Sequence, residues 1–371
     1  MDEDILVIGA GPAGLAVSAC LRARGLAHTV VERESSVAAS WRRHYDRLAL
    51  HTTKRYSALP FAPWPDTAPG YPSRDQVVEY LEAYAERFGI RPRLGVCVER
   101  VQREGERFTA LTSQGALSPR FVVVASGANA VPVSPEFPGL EAFGGTVSHA
   151  GAYRNAAPYL GQRTLVVGCG NSGAEIALDL AEHHVDVSLV VRGPVHVVPR
   201  DVFGRPSQAT GILLSRLPLG LRDALLSATL RLVVGDLSAW GIVRPKVGLN
   251  RSILETGRIP LLDLGTVAMI KAGRIKVVPA VEEVYPGAVR FADHLIRPFE
   301  HLILATGYRP GLERFIDAAA TPEGRGRPAS GAESGLPGLY FVGFGVTTTG
   351  VLRDISHEAP RVAAAIARAM A

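Results

Sequence analysis

Cysteines are few in this chain, and long apolar runs are absent. The three cysteines (Cys20, Cys97 and Cys169) lie far apart, and no CxxC motif occurs. This pattern argues against a redox-active dithiol and against a structural zinc site, so we expect no metal. No disulfide framework is implied, which fits a reducing cytoplasm. The chain also lacks any run of about 18 apolar residues, so the sequence predicts no membrane partner.

Lysine is scarce as well. It supplies only four of the 40 basic residues, and arginine supplies the other 36. These charges are scattered rather than grouped in runs, so we expect no nucleic-acid partner. The net charge of +5 suits a protein that binds polyanionic cofactors. Residues 1–4 lead directly into a strand pattern rather than a signal peptide, which predicts a cytoplasmic location.

Two strand–turn–helix–strand units occur in the 371 residues, and their glycine turns begin 159 positions apart. Strand 4–8 precedes the turn 9–14 (GAGPAG), and strand 164–167 precedes the turn 168–173 (GCGNSG). In a GxGxxG turn the first glycine allows the tight turn, the second the approach of a pyrophosphate, and the third close helix packing. The sequence therefore predicts an α/β fold with two Rossmann-like dinucleotide-binding domains.

The residues that end the second strands of the two units have opposite charges. Glu32 ends the first unit, where a carboxylate accepts hydrogen bonds from ribose hydroxyls and repels a 2′-phosphate. Arg192 ends the second, where a guanidinium attracts a 2′-phosphate; the alternative is a solvated surface arginine. The first site is predicted to hold FAD or NAD and the second NADP. FAD with NADPH is the natural pair for electron transfer.

Two enzyme classes use such a pair. One is a reductase that passes electrons to a disulfide or a protein, and the other is a monooxygenase that passes them to O₂. The absence of CxxC argues against disulfide reduction.

Further motifs resemble one enzyme family. Residues 143–153 fit the pattern FxGxxxHxxxY, residues 305–308 read ATGY, and residues 41–54 resemble the segment over the flavin. With the second glycine turn, they make the chain similar to the flavin-containing monooxygenases (class B flavoprotein monooxygenases), in particular the YUCCA-type indole-3-pyruvate monooxygenases and their bacterial relatives. The related Baeyer–Villiger enzymes have Trp-Pro at the end of the first pattern, and this chain does not.

The resemblance implies an oxygenase reaction. NADPH reduces FAD, NADP⁺ stays bound, and O₂ adds to flavin C4a to give a hydroperoxide that transfers one oxygen atom to a small-molecule substrate. The substrate is either a soft nitrogen or sulfur nucleophile or an α-keto acid. Three alternatives stay open: a Baeyer–Villiger ketone monooxygenase, an NADPH–flavin electron-transfer reductase without oxygen insertion, and a non-catalytic redox sensor. The oligomeric state is open too, a homodimer included.

The resemblance also implies the domain arrangement. Residues 1–155 and 290–371 are expected to form a discontinuous FAD-binding domain. Residues 156–289 are expected to form an inserted NADP-binding domain. The apolar helical segment 200–250 in this domain either covers the substrate cavity or forms core helices.

Three residues are catalytic candidates on the same resemblance. His51 could donate a hydrogen bond near flavin C4a or O4, or it could pack against the flavin edge. Lys54 could polarise a flavin or substrate oxygen, or it could be a surface lysine. Asn171 is expected to anchor the retained NADP⁺. The candidate cofactor-binding residues are Gly9, Gly11, Pro12, Ala13, Gly14, Glu32, Arg33, Trp41, Arg42, His51, Thr52, Val98, Ala125, Ser126, Gly127, Gly168, Gly170, Asn171, Ser172, Gly173, Arg192, Thr306, Gly307, Tyr308 and Gly343.

Overall fold

The computed structural model describes residues 4–316, 328–346 and 349–371. Its helices are α1 Pro12–Arg22, α2 Ala39–Arg42, α3 Arg74–Arg87, α4 Asn171–Glu182, α5 Ser207–Leu214, α6 Leu219–Val233, α7 Leu249–Thr256, α8 Thr266–Lys271 and α9 Val351–Met370. Its strands are β1 Ile5–Ile8, β2 Thr29–Glu32, β3 Arg93–Leu94, β4 Val98–Glu104, β5 Arg107–Thr112, β6 Gly115–Leu117, β7 Phe121–Val124, β8 Val131–Pro132, β9 Thr146–His149, β10 Arg163–Val167, β11 Asp186–Val190, β12 Val197–Pro199, β13 Asp201–Val202, β14 Arg205–Pro206, β15 Leu261–Asp263, β16 Ile275–Val278, β17 Val281–Tyr285, β18 Ala288–Phe291, β19 Ile296–Pro298, β20 His301–Leu304, β21 Tyr308–Arg309, β22 Ala332–Glu333 and β23 Leu339–Phe341.

The chain forms two compact units. The first unit comprises the described parts of Met1–Arg43, Thr52–Val131 and Tyr308–Ala371, and the second comprises His44–His51 and Pro132–Gly307. The second unit thus starts earlier and ends later than the predicted segment 156–289. The reason is strand pairing, because β9 and β20 both belong to its central sheet.

The first unit is built on a six-stranded sheet in the order β22-β23-β7-β1-β2-β3. All its pairs are parallel except that of β22 with β23. Every residue of β1 is buried, which is typical of a central parallel strand covered on both faces. A separate antiparallel sheet contains β4, β5 and β6.

The sequence also predicts a helix from Ser73 to Phe88 with Ser73 as its N-cap, and α3 of the first unit begins there. The Ser73 hydroxyl accepts the Gln76 backbone N–H at 3.3 Å, and the Gln76 side-chain oxygen accepts the Ser73 N–H at 2.9 Å. This reciprocal pair satisfies two backbone donors at the helix start and confirms the predicted N-cap.

The second unit has a five-stranded, all-parallel sheet in the order β16-β11-β10-β20-β9. Buried side chains of its central strands pack with those of α4 in one apolar core, for example Val166, Leu189 and Ile176. Strands β17, β18 and β19 form a small antiparallel sheet in the same unit.

The segment 200–250 contains α5 and α6, as its leucine pattern predicts. Its leucines are divided between surface and core: Leu213 is 63% exposed and Leu232 is 78% exposed, whereas Leu230, Leu237 and Leu249 are buried. Among the helices of the described residues, none combines the length and the apolarity needed to cross a membrane.

Candidate functional site

The two glycine turns have the same backbone geometry. Gly9 has φ +109°, and a Cβ placed on it would lie 2.6 Å from the Ala125 carbonyl oxygen. Gly168 has φ +117°, and a Cβ there would lie 2.5 Å from the Ala305 carbonyl oxygen. Both turns therefore need glycine at their first position, because the neighbouring strand leaves no space for a side chain.

The last glycine of each turn is also required, because backbone atoms of the same turn lie where its side chain would be. A Cβ on Gly14 would lie 1.8 Å from the Gly9 carbonyl oxygen, and one on Gly173 would lie 1.9 Å from that of Gly168. These contacts are far below van der Waals distance. The glycines thus allow α1 and α4 to start directly above their turns.

The middle glycines, Gly11 and Gly170, differ from the others. A Cβ on either would meet no atom within 4 Å, and neither turn needs a positive φ there. The fold itself therefore does not require glycine at these two positions. A ligand that approaches the backbone closely would require it. Each glycine directly precedes a helix N-terminus, whose free N–H groups and dipole favour phosphate. Both turns therefore fit the pyrophosphate of a dinucleotide.

Glu32, at the end of β2, is held beside the first turn. One carboxylate oxygen accepts the Ala10 backbone N–H at 2.7 Å, and the other accepts the Glu34 N–H at 3.1 Å. The side chain is half-buried, and each oxygen keeps a free lone pair. The carboxylate can thus accept hydrogen bonds from ribose hydroxyls without moving.

Arg192 lies two residues after the end of β11 in the second unit, one position beyond the counterpart of Glu32. Its side chain is exposed, and within residues 4–316, 328–346 and 349–371 its guanidinium makes no ion pair or hydrogen bond. The five donors of this group are therefore available to an anionic ligand such as a 2′-phosphate.

A second turn lies beside each glycine turn, formed by residues 125–127 in the first unit and 305–307 in the second. The buried Ser126 hydroxyl has no hydrogen-bond partner among the described residues. The Thr306 hydroxyl instead donates to the Val133 carbonyl oxygen, and the Gly307 carbonyl accepts from His149 Nε2 at 3.1 Å. The Ser126 hydroxyl of the first turn can thus hydrogen-bond to a ligand, whereas the Thr306 hydroxyl of the second turn already has a partner in the protein.

His149 is held in one neutral form. Its Nδ1 accepts the Gly151 backbone N–H at 3.1 Å, so the proton lies on Nε2, which donates to Gly307. Burial lowers the pKa of His149, and the hydrogen bond to the Gly307 carbonyl opposes this only in part. His149 therefore stabilises the turn 305–307.

His51 contacts helix α4 of the second unit. Its Nε2 lies 3.0 Å from a carboxylate oxygen of Glu175, and the same oxygen accepts the Tyr45 hydroxyl at 2.7 Å. Glu175 is 3% exposed. Glu175 and Tyr45 are not among the residues predicted from the sequence. The available signal was a carboxylate four residues after Asn171, flanked by Ala174 and Ile176 in α4.

Asp179, one turn further along α4, is also buried and paired. It accepts the Tyr153 hydroxyl at 2.6 Å, and Arg47 lies 3.5 Å from its other oxygen. Burial, followed by the hydrogen bond to Asp179, raises the pKa of Tyr153, so its hydroxyl stays protonated as a donor. The two carboxylates thus hold segment 44–51 and Tyr153 against α4.

Lys54 is fully engaged by the backbone of the first unit. Its ammonium group donates to the carbonyl oxygens of Pro65, Asp66 and Ala68 at 3.1, 2.8 and 2.6 Å. An ammonium group has three protons, so no donor is left for a cofactor or substrate oxygen. This geometry favours a role in holding the loop 65–68.

Asn171 is the first residue of α4. Its side-chain oxygen accepts the Leu262 backbone N–H at 2.8 Å and so joins the helix to β15. Its side-chain nitrogen makes no hydrogen bond within the described ranges. The amide is therefore oriented by the protein and keeps two donors for a ligand.

The remaining predicted residues fall into two groups. Ala13 packs 3.1 Å from a Cβ built on Gly343, so both lie beside the first turn, where Pro12 opens α1; Ser172 lies in the second turn. Several others pair with neighbouring side chains or belong to other elements: Arg33 pairs with Glu34, Arg42 with Glu82, Thr52 with Ser57, Trp41 belongs to α2, Val98 begins β4, and Tyr308, directly after the turn 305–307, begins β21.

Val96 lies beside the backbone of Glu32, and Val98, a predicted cofactor-binding residue, lies two positions further along the chain. The Val96 N–H donates to the Glu32 carbonyl oxygen at 2.8 Å, whereas Val98 pairs with Thr112 in another sheet. The short strand β3 brings Val96 to this place, and its two residues give too little pattern for sequence analysis to place it.

Comparisons with known proteins identify the family and the fold. Residues 6–202 match the family described as pyridine nucleotide-disulphide oxidoreductase. The indole-3-pyruvate monooxygenase YUCCA1 of Oryza sativa subsp. japonica is 44% identical over 96% of this chain and 90% of its own length. The flavin-containing monooxygenase of Stenotrophomonas maltophilia shares the fold with a TM-score of 0.76 at 24% identity, over 100% of both chains. Cyclohexanone monooxygenase shares it with a TM-score of 0.75 at 19% identity, over 99% of this chain and 88% of that one.

The chain belongs to the flavin-containing monooxygenases. It is an NADPH-dependent enzyme that uses FAD and O₂ to transfer oxygen to a small-molecule substrate. The resemblance, the activity and the two cofactors expected from the sequence are thereby confirmed, as is a mixed α/β fold.

Two cysteines of this monooxygenase are kept as thiols. Burial raises the pKa of Cys20 to about 11 and that of Cys169, inside the second glycine turn, to about 12. Since thiolates are the reactive form in disulfide exchange, neither residue suits a disulfide reductase. This agrees with the absence of a CxxC motif.

Proposed function

We propose that this monooxygenase converts an aromatic α-keto acid of the indole-3-pyruvate class to the acid one carbon shorter. In this reaction the keto acid, O₂, NADPH and a proton give the shortened acid, CO₂, water and NADP⁺. The supporting observation is the 44% identity to an indole-3-pyruvate monooxygenase over nearly the whole length of both chains. A soft nitrogen or sulfur nucleophile is the alternative substrate class.

We assign FAD to the first unit and NADPH to the second, each as a Rossmann-like dinucleotide-binding domain. The assignment is supported by the open positions at Gly11 and Gly170, by the fixed carboxylate of Glu32 and by the free guanidinium of Arg192. When bound, NADPH supplies a hydride, and the reduced flavin activates O₂. The protein binds the phosphates at the two helix N-termini and selects the cofactors by charge.

The three catalytic candidates receive different roles. Asn171 uses its free side-chain N–H groups to retain NADP⁺, because its oxygen is fixed by Leu262. His51 is assigned to the oxygenation step. Lys54 is assigned to holding the loop 65–68, since its three protons are used by carbonyl oxygens.

The test is the reaction of FAD-loaded enzyme with NADPH, ¹⁸O₂ and indole-3-pyruvate, followed by mass spectrometry. We expect one ¹⁸O atom in the carboxylate of indole-3-acetate, with CO₂ and NADP⁺ formed in equal amounts. Parallel reactions with a tertiary amine, a thioether and a cyclic ketone compare the other substrate classes. Efficient oxygenation of one of these, with only H₂O₂ formed from indole-3-pyruvate, would reject the keto acid.

A further inference from the structure

One face of α4 has three polar residues, Asn171, Glu175 and Asp179, spaced four residues apart. Residues at this spacing lie above one another on a helix. Asn171 is at the turn assigned to NADPH, and Glu175, one turn later, holds His51. The helix that begins at the nicotinamide cofactor thus also fixes the side chain assigned to oxygenation.

The contact between Glu175 and His51 defines where the imidazole proton lies. An ionised carboxylate can only accept hydrogen bonds, so the 3.0 Å contact places a proton on His51 Nε2. His51 Nδ1 makes no hydrogen bond within the described part of the chain, although the side chain as a whole is only 17% exposed. Nδ1 is therefore the ring nitrogen left for a cofactor, a substrate or water.

The carboxylate is itself fixed. Tyr45 donates to the same oxygen of Glu175 at 2.7 Å, and both residues are buried. A buried carboxylate with two donors on one oxygen has little freedom to rotate. It can hold an imidazole in one tautomer and orientation, as carboxylates do for histidines in other active sites.

We propose that Glu175 is a positioning residue for His51: it keeps the proton on Nε2 and so presents Nδ1 to the oxygenation site. The inference rests on the role proposed above for His51. The sequence-based hypothesis makes His51 a hydrogen-bond donor near flavin C4a or O4, and the contact with Glu175 changes this. A neutral His51 offers an acceptor at Nδ1, and it donates from that atom only after taking up a proton.

The first measurement is made on the wild-type holoenzyme. Nitrogen-15 NMR of histidine-labelled, FAD-loaded protein reports which ring nitrogen is protonated, and His51→Gln identifies the signal of His51. We expect the Nε2–H form. A signal from the Nδ1–H form would overturn the proposal without any change to Glu175.

The second measurement uses Glu175→Gln. The amide of glutamine offers both a donor and an acceptor, so both tautomers of His51 become compatible with it. We expect a mixed tautomer population and a fall of roughly tenfold in oxygenated product per NADPH consumed, with H₂O₂ in its place and little change in the KM for NADPH. Bound flavin absorbance checks that the variant is folded.

Two further variants serve as controls. Tyr45→Phe removes the other donor from the same carboxylate oxygen and should leave the tautomer of His51 as it is. Asp186→Asn removes an exposed carboxylate that pairs with Lys276 at 2.6 Å and should change neither readout.

The outcomes separate this inference from the proposed function. If Glu175→Gln keeps both the tautomer and the product yield while His51→Gln loses the yield, Glu175 is not a positioning residue. If His51→Gln also keeps the yield, the role of His51 itself is wrong. Absence of product from indole-3-pyruvate with the wild-type enzyme rejects the substrate, and the tautomer remains measurable.

Discussion

The two glycine turns share one backbone design but differ in the polar groups around them. In the first unit Glu32 is fixed by two backbone N–H groups, and the buried Ser126 hydroxyl has no described partner. In the second unit Arg192 has no partner among the described residues, and the Thr306 hydroxyl is used by Val133. The shape of both turns is thus set by backbone contacts, and the side chains around them make the two turns different.

This difference suits the proposed assignment of FAD to the first unit and NADPH to the second. A flavin that stays bound through many turnovers benefits from preorganised groups, because little ordering is left to be done on binding. NADPH must enter and NADP⁺ must leave in each cycle. An exposed, unconstrained arginine suits such exchange, since its charge attracts the cofactor from solvent.

The largest expected loss of cofactor binding comes from substitution of the last glycine of each turn, Gly14 or Gly173. Gly14→Ala should prevent α1 from closing on its turn and should yield protein without FAD, whereas Gly173→Ala should keep FAD and lose NADPH binding. Overpacking of this kind costs about 1–3 kcal/mol or more, and here the clash is with backbone. Flavin absorbance and NADPH titration measure the two outcomes.

Gly11→Ala and Gly170→Ala are the matched controls, since a Cβ there meets no protein atom within 4 Å. They should leave the melting temperature of the cofactor-free protein unchanged and weaken only the cofactor of their own unit. An equal fall in melting temperature after substitution of the middle and of the last glycines would contradict the idea that only the last glycines are required by the fold.

The sequence predicts what is local. Both turns, the opposite charges of Glu32 and Arg192, and the cap at Ser73 follow from spacing within a few residues. The structure alone shows the partners of Lys54, because they are loop carbonyls without a sequence pattern. The extent of the second unit depends likewise on pairing of β9 with β20, which are separated by about 150 residues.

The contact between His51 and Glu175 is of the same long-range kind, spanning 124 positions. Residues 41–54 suggested a flavin contact by resemblance, and nothing local in them indicates a carboxylate on α4. The sequence therefore points to His51 but not to the buried carboxylate that contacts it.

Arg192→Ala tests the proposed contact between the Arg192 guanidinium and the 2′-phosphate of NADPH. Its effect on cofactor use should be smaller than that of the glycine substitutions. A charged contact to a 2′-phosphate is worth about 1.5–3 kcal/mol, so the KM for NADPH should rise roughly tenfold to a hundredfold. The KM for NADH, which lacks this phosphate, should change little. Glu32→Gln is the control and should weaken FAD retention without altering the ratio of the two KM values. Equal rises for NADPH and NADH would reject the assignment of NADP to this unit.

The smallest effect should distinguish the hydroxyls of the two adjoining turns. Thr306→Val removes the hydrogen bond to Val133 and should lower the free energy of unfolding of the cofactor-free enzyme by about 0.5–1.5 kcal/mol. Ser126→Ala removes a buried hydroxyl with no partner in the described chain, so the cofactor-free enzyme should be equally stable or slightly more so. If FAD satisfies this hydroxyl, the stabilisation that FAD gives should be smaller in Ser126→Ala than in the wild type. Urea denaturation with and without FAD measures both effects, and a loss of stability in cofactor-free Ser126→Ala would show that the protein, rather than the flavin, uses the hydroxyl.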